Sequence, residues 1–292
     1  MIPDELIQQI NQWLHENSAK NDSIIKTEIL TGGCINDCHV LYTNKKKIFL
    51  KYNLASRFPE MLAAESQGLI LLKKSQLIGV PEVLYSGETA SYSFLLLEYI
   101  PEGHNDKDFW EKFGRQLARL HRMSQTSFGL DYNNYIGSIP QKNSYFSQWN
   151  EFVIVNRLQP LVRKAYNKKL LNHTDISDFD RLFTRIENIL PAEKPALLHG
   201  DLWSGNFIMN VEGQPILIDP SVYFGHREMD IAMTRLFGGF SNDFYHFYND
   251  EYPLEKGWKN RVEFNQLYPL LVHVLLFGST YASQIRNIIR KY

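Results

Sequence analysis

The residues whose types and spacing could do chemistry lie between positions 199 and 219. His199-Gly200-Asp201-Leu202-Trp203-Ser204-Gly205-Asn206 sets an Asp and an Asn five residues apart. An Asp in such a loop accepts the proton of an attacking hydroxyl and orients its oxygen for in-line attack. An Asn further round the loop holds a magnesium ion on phosphates, a division of labour that belongs to phosphoryl transfer and has the spacing of a kinase catalytic loop. Thirteen residues after Asn206 comes Asp219, at the end of Ile216-Leu217-Ile218. That gap is the length of a hairpin: strand 207–210, a turn through Glu212-Gly213, strand 215–218. A hairpin brings its ends side by side. Asn206 and Asp219 are therefore expected to give two oxygen ligands to one magnesium, with phosphates and water completing the shell. Taken singly, Asp201, Asn206 and Asp219 could each cap a loop. All three at this spacing, each at a strand end, favour the chemical reading.

The N-terminal part supplies candidate partners for a nucleotide. Lys51 closes the run Ile48-Phe49-Leu50-Lys51, the kind of strand that carries a phosphate-pairing lysine. Glu65 follows fourteen residues later inside a predicted helix and is expected to pair with it. In isolation both would pass for solvated surface residues. Gly32-Gly33-Cys34-Ile35-Asn36 falls between two predicted strands, where Gly32 and Gly33 would let backbone N–H groups approach phosphate. The full G-x-G-x-x-G pattern is absent, and a plain hairpin turn is compatible with the same residues. The stretch 94–99 reads as a buried strand before a hinge, with the backbone of Glu98, Tyr99 and Ile100 facing an adenine. ATP and Mg2+ are the cofactors these features call for.

The elements that must position these groups are legible from periodicity. Apolar spacing predicts a helix over 3–19, with Ile7, Ile10 and Leu14 on one face. Strands follow over 23–31, 38–43 and 47–52, then a helix over 59–73 and strands over 83–85 and 94–99. Beyond Pro101-Glu102-Gly103 the pattern is mainly helical. Phe109, Phe113, Leu117 and Leu120 share one helix face, Phe179, Leu182, Phe183, Ile186 and Ile189 another, and a late helix ends near Gly278. Only 196–198, 207–210 and 215–218 read as strands there. The expected fold is α+β and two-lobed: a small sheet-plus-helix lobe over 1–100 that binds nucleotide, and a larger, mainly helical lobe over 101–292 that carries catalysis and substrate, with a hinge near 98–103 and a ligand cleft between the lobes.

The 292 residues carry 31 basic and 32 acidic side chains, a net charge of −1, which offers no footprint for nucleic acid or an anionic membrane and suits a small-molecule substrate. Two cysteines, Cys34 and Cys38, argue against a secreted disulfide framework. The first residues, MIPDELIQQINQWL, do not read as a signal peptide. The apolar stretch 267–277 contains Pro269 and His273 and is too short to span a bilayer. A cytoplasmic location is expected.

Taken together the chain resembles the fructosamine kinase (ketosamine-3-kinase) family, within the protein-kinase-like group that includes aminoglycoside phosphotransferases and choline kinases. The resemblance rests on HGDLWSGN at 199–206, IDPSVYFGHREMDIAM at 218–233 and LFGGF at 236–240, with GGCIN at 32–36, IFLK at 48–51, MLAAESQGL at 61–69 and LARLH at 117–121. The HGD-plus-Asn core is common to the small-molecule kinases of the group. Trp203 and the YFGHRE and LFGGF segments are more particular to the ketosamine kinases. Gly200 stands where protein kinases place Arg, and Asp219-Pro220 where they place Asp-Phe-Gly, which argues against a phosphorylation-controlled activation loop. The resemblance implies ATP-dependent phosphorylation of the 3-hydroxyl of a ketosamine of the fructosamine or ribulosamine type, free or protein-bound. The adduct then breaks down and frees the amine, which amounts to repair of glycated amines. It assigns Asp201 as base, Asn206 and Asp219 as metal ligands, Lys51 and Glu65 as the phosphate pair, and Trp203 and His226 to the substrate side or to ordering the loop.

Other residues read as structural. His121 is expected to be a hydrogen-bonded core histidine, 237–240 to end a helix and pack, and Cys34 to be an ordinary loop residue in preference to a redox-sensitive thiol. The aromatic-rich stretch 240–252 could line an amine or sugar pocket or pack as a surface loop. Two other functions share the same residues: a kinase for an aminoglycoside, choline or another alcohol, and a nucleotide-binding scaffold without catalysis. Trp203 with YFGHRE argues against the first, and the complete set of Lys51, Glu65, Asp201, Asn206 and Asp219 against the second.

Overall fold

A computed structural model describes residues 1–17, 22–30, 35–104 and 106–292. Helix α1 (Asp4–Asn17) is followed by strands β1 (Ile24–Leu30), β2 (Asp37–Thr43) and β3 (Lys47–Leu54), helix α2 (Met61–Ser75), and strands β4 (Val83–Glu88) and β5 (Tyr92–Glu98). The strands form one sheet in the order β1-β2-β3-β5-β4, antiparallel throughout. Side chains alternate between the faces of a strand, and the two faces of this sheet are covered by different helices. Ile48, Leu50, Tyr52, Phe94 and Leu96 meet Leu6, Ile10 and Leu14 of α1. Leu95 and Leu97 meet Leu62 and Leu69 of α2 on the other face. Burial on both faces explains why Phe94-Leu95-Leu96-Leu97 is an unbroken apolar run. The same alternation sends Lys51 to the α2 face.

The rest of the chain is mainly helical around one larger core. Helix α3 (Phe109–His121) buries Phe113, Leu117 and Leu120 completely and crosses the helix Asn242–Glu251. The crossing is close because Gly114 has no Cβ: one placed there would lie 2.5 Å from the Phe244 carbonyl oxygen and 2.9 Å from the Tyr248 nitrogen. The helix Leu267–Phe277 runs through the core, with Leu267, Leu271 and Val274 wholly buried, and ends at Gly278, whose φ is +92°. No helix among the described residues is long and apolar enough to cross a membrane.

Three details differ from the periodicity. The strand Ala196–Leu198 pairs with Tyr223–Gly225, and Asn134–Ile136 pairs with Ile139–Gln141. Apart from Ala196–Leu198, these segments were not anticipated, because three residues hold too little alternation to register. Val153–Leu158 is a π-helical stretch. It buries Arg157 entirely, with the guanidinium over the Tyr223 ring at 4.1 Å and bonded to Asn143 Oδ1 at 2.7 Å. Of the two readings of the aromatic stretch 240–252 the structure has the packing one, as a helix and not a surface loop, with Phe244 and Tyr248 wholly buried.

The Gly114 contact generates a test with an unusual sign. Glycine-to-alanine in a helix interior normally stabilises by about 1 kcal/mol. Gly114→Ala should instead destabilise by about 1–3 kcal/mol, the cost of forcing a methyl into a packed contact. Denaturant unfolding measures it, and a stabilised variant would refute the close crossing.

Candidate active site

The catalytic-loop segment is held from below by one buried carboxylate. Asp230, in the helix Glu228–Thr234, accepts from the backbone N–H of His199 at 2.7 Å and of Gly200 at 2.9 Å, and from His121 Nε2 at 3.2 Å. His121 Nδ1 in turn accepts from the Tyr248 hydroxyl at 2.8 Å. His121 is therefore the core histidine expected from sequence, with a defined task. Burial alone would raise the Asp230 carboxyl, but the bond from His121 and the surrounding donors hold it below the ordinary aspartate range. Gly200 has φ +86°, and a Cβ there would collide with the Ser221 carbonyl. That explains glycine at this position, where an Arg could not be placed.

His199 links the loop to the following hairpin. Its Nε2 donates to the Ile218 carbonyl at 2.9 Å and its Nδ1 accepts from the Asp201 N–H at 3.3 Å. Burial lowers its pKa, which keeps the ring neutral and preserves that tautomer. Asp201 is gripped by the residue five positions on: Asn206 Nδ2 donates to the Asp201 carbonyl at 2.8 Å and to its Oδ2 at 3.1 Å. Burial, followed by the nearby Asp219 charge, pushes the Asp201 carboxyl up to about 7, against the bond from Asn206. A cation beside Asp219 would act in the opposite direction and favour the ionised base.

The hairpin forms as the spacing required. Phe207–Met209 pairs with Pro215–Leu217, and the Ile218 N–H donates to the Asn206 carbonyl at 3.1 Å. Asn206 and Asp219 thus stand at the same end. Asn206 commits its amide nitrogen to Asp201, so its side-chain oxygen would be the atom to reach a metal, with Asp219 adding carboxylate oxygens. Two hard oxygen donors suit magnesium. Asp219 sits at φ +55°, a left-handed conformation that costs a non-glycine residue on the order of 1 kcal/mol and that clusters at functional sites.

Lys51 joins this end to the sheet. Its Nζ lies 2.7 Å from Glu65 Oε1 and 2.7 Å from Asp219 Oδ1. The lysine is almost fully buried. Burial would lower its pKa, but the Asp219 and Glu65 charges hold it well above the ordinary lysine range, so it remains a cation.

The remaining expectations fare differently. Gly32, Gly33 and Cys34 lie outside the described residues. Glu98 ends β5, and its N–H is already donated to the Glu82 carbonyl at 2.9 Å. A base edge would therefore need other groups of Glu98, Tyr99 and Ile100. Trp203 is 37% exposed, with its ring over Gly205 and edge-on to Phe237 at 6.1 Å between centroids. Phe237 is itself 41% exposed and packs against the His273 ring, with centroids 4.8 Å apart.

His226 requires a correction of substance. It has no exposed surface, its Nε2 donates to the Pro191 carbonyl at 3.2 Å, and its Nδ1 accepts from the Glu228 N–H at 3.3 Å. A side chain so enclosed orders the turn before the helix and does not border a substrate. Its neighbours Glu193 and Glu228 lie close enough to suggest a metal cluster. Their carboxylates are instead paired with Arg227 and Arg261, which satisfies them without an ion. Sequence reasoning did not single out Asp230. The available signal was a lone acid inside the apolar run Met229-Asp230-Ile231-Ala232-Met233, where a charge survives burial only with partners.

A five-stranded sheet with its lysine–glutamate pair, set against a helical lobe whose loop carries Asp201, Asn206 and Asp219, defines a protein-kinase-like phosphotransferase. The family model for fructosamine kinase matches residues 6–292, and the chain belongs to that family. It is 37% identical over 267 residues to a protein of Enterococcus faecium named as a probable ketoamine kinase, covering 90% of this chain and 94% of that one. It is 35% identical over 291 residues to the chloroplastic protein-ribulosamine 3-kinase of Arabidopsis thaliana, covering 97% and 87%. A crystal structure from Haemophilus somnus, named as a candidate fructosamine-3-kinase, superposes with a TM-score of 0.88 at 31% identity, covering 98% of this chain and 99% of that one.

The raised Asp201 carboxyl makes a signed prediction. Its folded-state pKa of about 7 lies above the ordinary 3.8, so the folded protein holds the extra proton. The stability gained from that proton is complete below the ordinary value and is lost as pH rises through about 7. Asp201→Asn cannot titrate and escapes that loss. With neither nucleotide nor metal, the variant's melting temperature should gain on wild type between about pH 4 and about pH 8. A gap that stays constant would show that Asp201 is not raised.

Proposed function

We propose that the protein transfers the γ-phosphoryl group of ATP to the 3-hydroxyl of a ketosamine of the fructosamine or ribulosamine type. The observation that carries the reading is the convergence of Asp201, Asn206, Asp219 and Lys51 at one hairpin end, in a chain of the fructosamine kinase family. Lys51, fixed by Glu65, would pair with the nucleotide phosphates. Asn206 and Asp219 would hold magnesium, which offsets the charge on the β- and γ-phosphates. Glu98, Tyr99 and Ile100 would border the adenine, and Gly32 and Gly33 would cover the phosphates.

Asp201 accepts the proton as the hydroxyl oxygen bonds to the γ-phosphorus and the bond to the β–γ bridging oxygen breaks, releasing ADP. Trp203, exposed beside Asp201, would form one wall of the acceptor site, against which a sugar's C–H face or a protonated amine can lie. The phosphorylated adduct then falls apart and frees the amine, which makes the activity one of deglycation. The reading places the enzyme in the cytoplasm, where ATP is supplied, with no nucleic acid or membrane as partner.

ATP consumption with a ribulosamine and a fructosamine, against choline and an aminoglycoside, tests the substrate class. The ketosamines should be turned over and the others not; preference for choline or an aminoglycoside would overturn the reading. Asp201→Ala should lower turnover by about 10²–10⁴, the usual worth of a positioned base, while ATP still binds. Asp219→Ala should instead abolish the magnesium dependence of ATP binding, which a nucleotide titration with and without the metal would reveal.

A further inference from the structure

Beyond Trp203 the aromatic surface continues. Phe237 lies 4.8 Å from the His273 ring, and His273 lies 5.4 Å from Phe277 and 5.2 Å from Tyr281. The rings come from the catalytic loop, the loop after Glu228–Thr234, the end of the helix Leu267–Phe277, and the short turn Ser279–Tyr281. Three of them, Trp203, Phe237 and Phe277, are exposed, Phe277 by 55%. A contiguous exposed apolar patch on a folded protein can serve as a binding surface.

A second contact fixes where the patch lies. A Cβ built on Gly137 would fall 3.0 Å from Leu276 Cδ1 and 3.5 Å from Ile35 Cδ1. Leu276 and Ile35 therefore both lie close over Gly137. The same helix end thus approaches the catalytic loop, through His273 and Phe237, and Ile35, through Leu276. Phe277, the last residue of that helix, stands exposed beside His273.

The chemistry of the patch is suited to a cation on an organic stem. His273 Nδ1 donates to the Pro269 carbonyl at 2.7 Å, and burial holds the ring below the usual histidine range, so it stays neutral with a lone pair on Nε2. Neutral aromatic faces attract an ammonium and pack against apolar groups. In a ketosamine the reacting sugar ends in an amine, and the amine leads to whatever molecule was glycated. With the sugar at Asp201 and Trp203, the only part of such a substrate that extends further is that carrier.

We propose that Phe237, His273, Phe277 and Tyr281 form an outer subsite that holds the amine's carrier and sets which glycated amines are accepted, with bulky apolar or aromatic carriers favoured. The inference rests on the ketosamine reading and adds the determinant of carrier preference.

The test compares one sugar on two carriers, fructosyl-glycine and fructosyl-benzylamine, with wild type, Phe277→Ala and Phe277→Tyr. Phe277 is more than half exposed, so its replacement should leave the melting temperature unchanged. Phe277→Ala should lower kcat/KM for the benzylamine adduct about fivefold, the loss of one aromatic contact. The glycine adduct and the KM for ATP should stay near wild type, and Phe277→Tyr should restore the preference. Equal effects on both adducts, or none on either, would overturn the subsite while wild-type turnover keeps the ketosamine reading intact. Wild type that phosphorylates neither adduct nor its ribulosyl counterpart would overturn both.

Discussion

The ammonium of Lys51 between the carboxylates of Glu65 and Asp219 is the interaction on which the rest of the molecule depends. It ties the sheet, helix α2 and the hairpin of the helical lobe at a single point, with both contacts at 2.7 Å. A buried cation is tolerated only when its partners are in place, and removing one partner of such a group costs about 3–5 kcal/mol. The geometry of the fold follows from satisfying it. Lys51 must point to the α2 face of β3, α2 must bring Glu65 over that face, and the hairpin must present Asp219 from the opposite lobe. On the proposed reading the same three groups would hold a nucleotide's phosphates and their metal.

Much of the surrounding structure compensates for a site that is costly in itself. Asp219 occupies a left-handed backbone conformation, Gly200 passes too close to Ser221 for any side chain, and Asp201 is raised by burial and by a like charge. Asp230 and His199 offset this. They pin the loop through backbone N–H groups and couple it to the strand that leads to Asp219, so the Asp201 carboxylate is positioned by buried groups behind it. A kinase whose catalysis is mainly positioning and electrostatics needs that kind of support.

How much of this was legible in the sequence depends on the range of the interaction. The α2 helix, the long strands and the hairpin between Asn206 and Asp219 were readable because periodicity and loop length are local. Lys51 and Glu65 were readable because their strand and helix were. The short strand Tyr223–Gly225 and the π-helical turn around Arg157 were not, since neither has a pattern longer than its own few residues. For His226 substrate contact and loop ordering stayed open for a related reason: the depth of its neighbours Arg227 and Glu228 has no local pattern, and only the fold shows Glu193 and Arg261 neutralising them in the interior. Asp230 was passed over because its partners stand 31 and 109 residues away. The exposure of Phe237 likewise depends on Trp203 and His273, which no local pattern brings together.

The central claim is that this constellation directs a phosphoryl group to one hydroxyl of a sugar–amine adduct. Phosphorus–proton correlation NMR on a fructosamine incubated with the protein, ATP and magnesium tests it most directly. The account predicts a single phosphate ester at the C3 oxygen, followed by free amine appearing as that ester decays. An ester at another hydroxyl, or ADP formed with no ester at all, would contradict it.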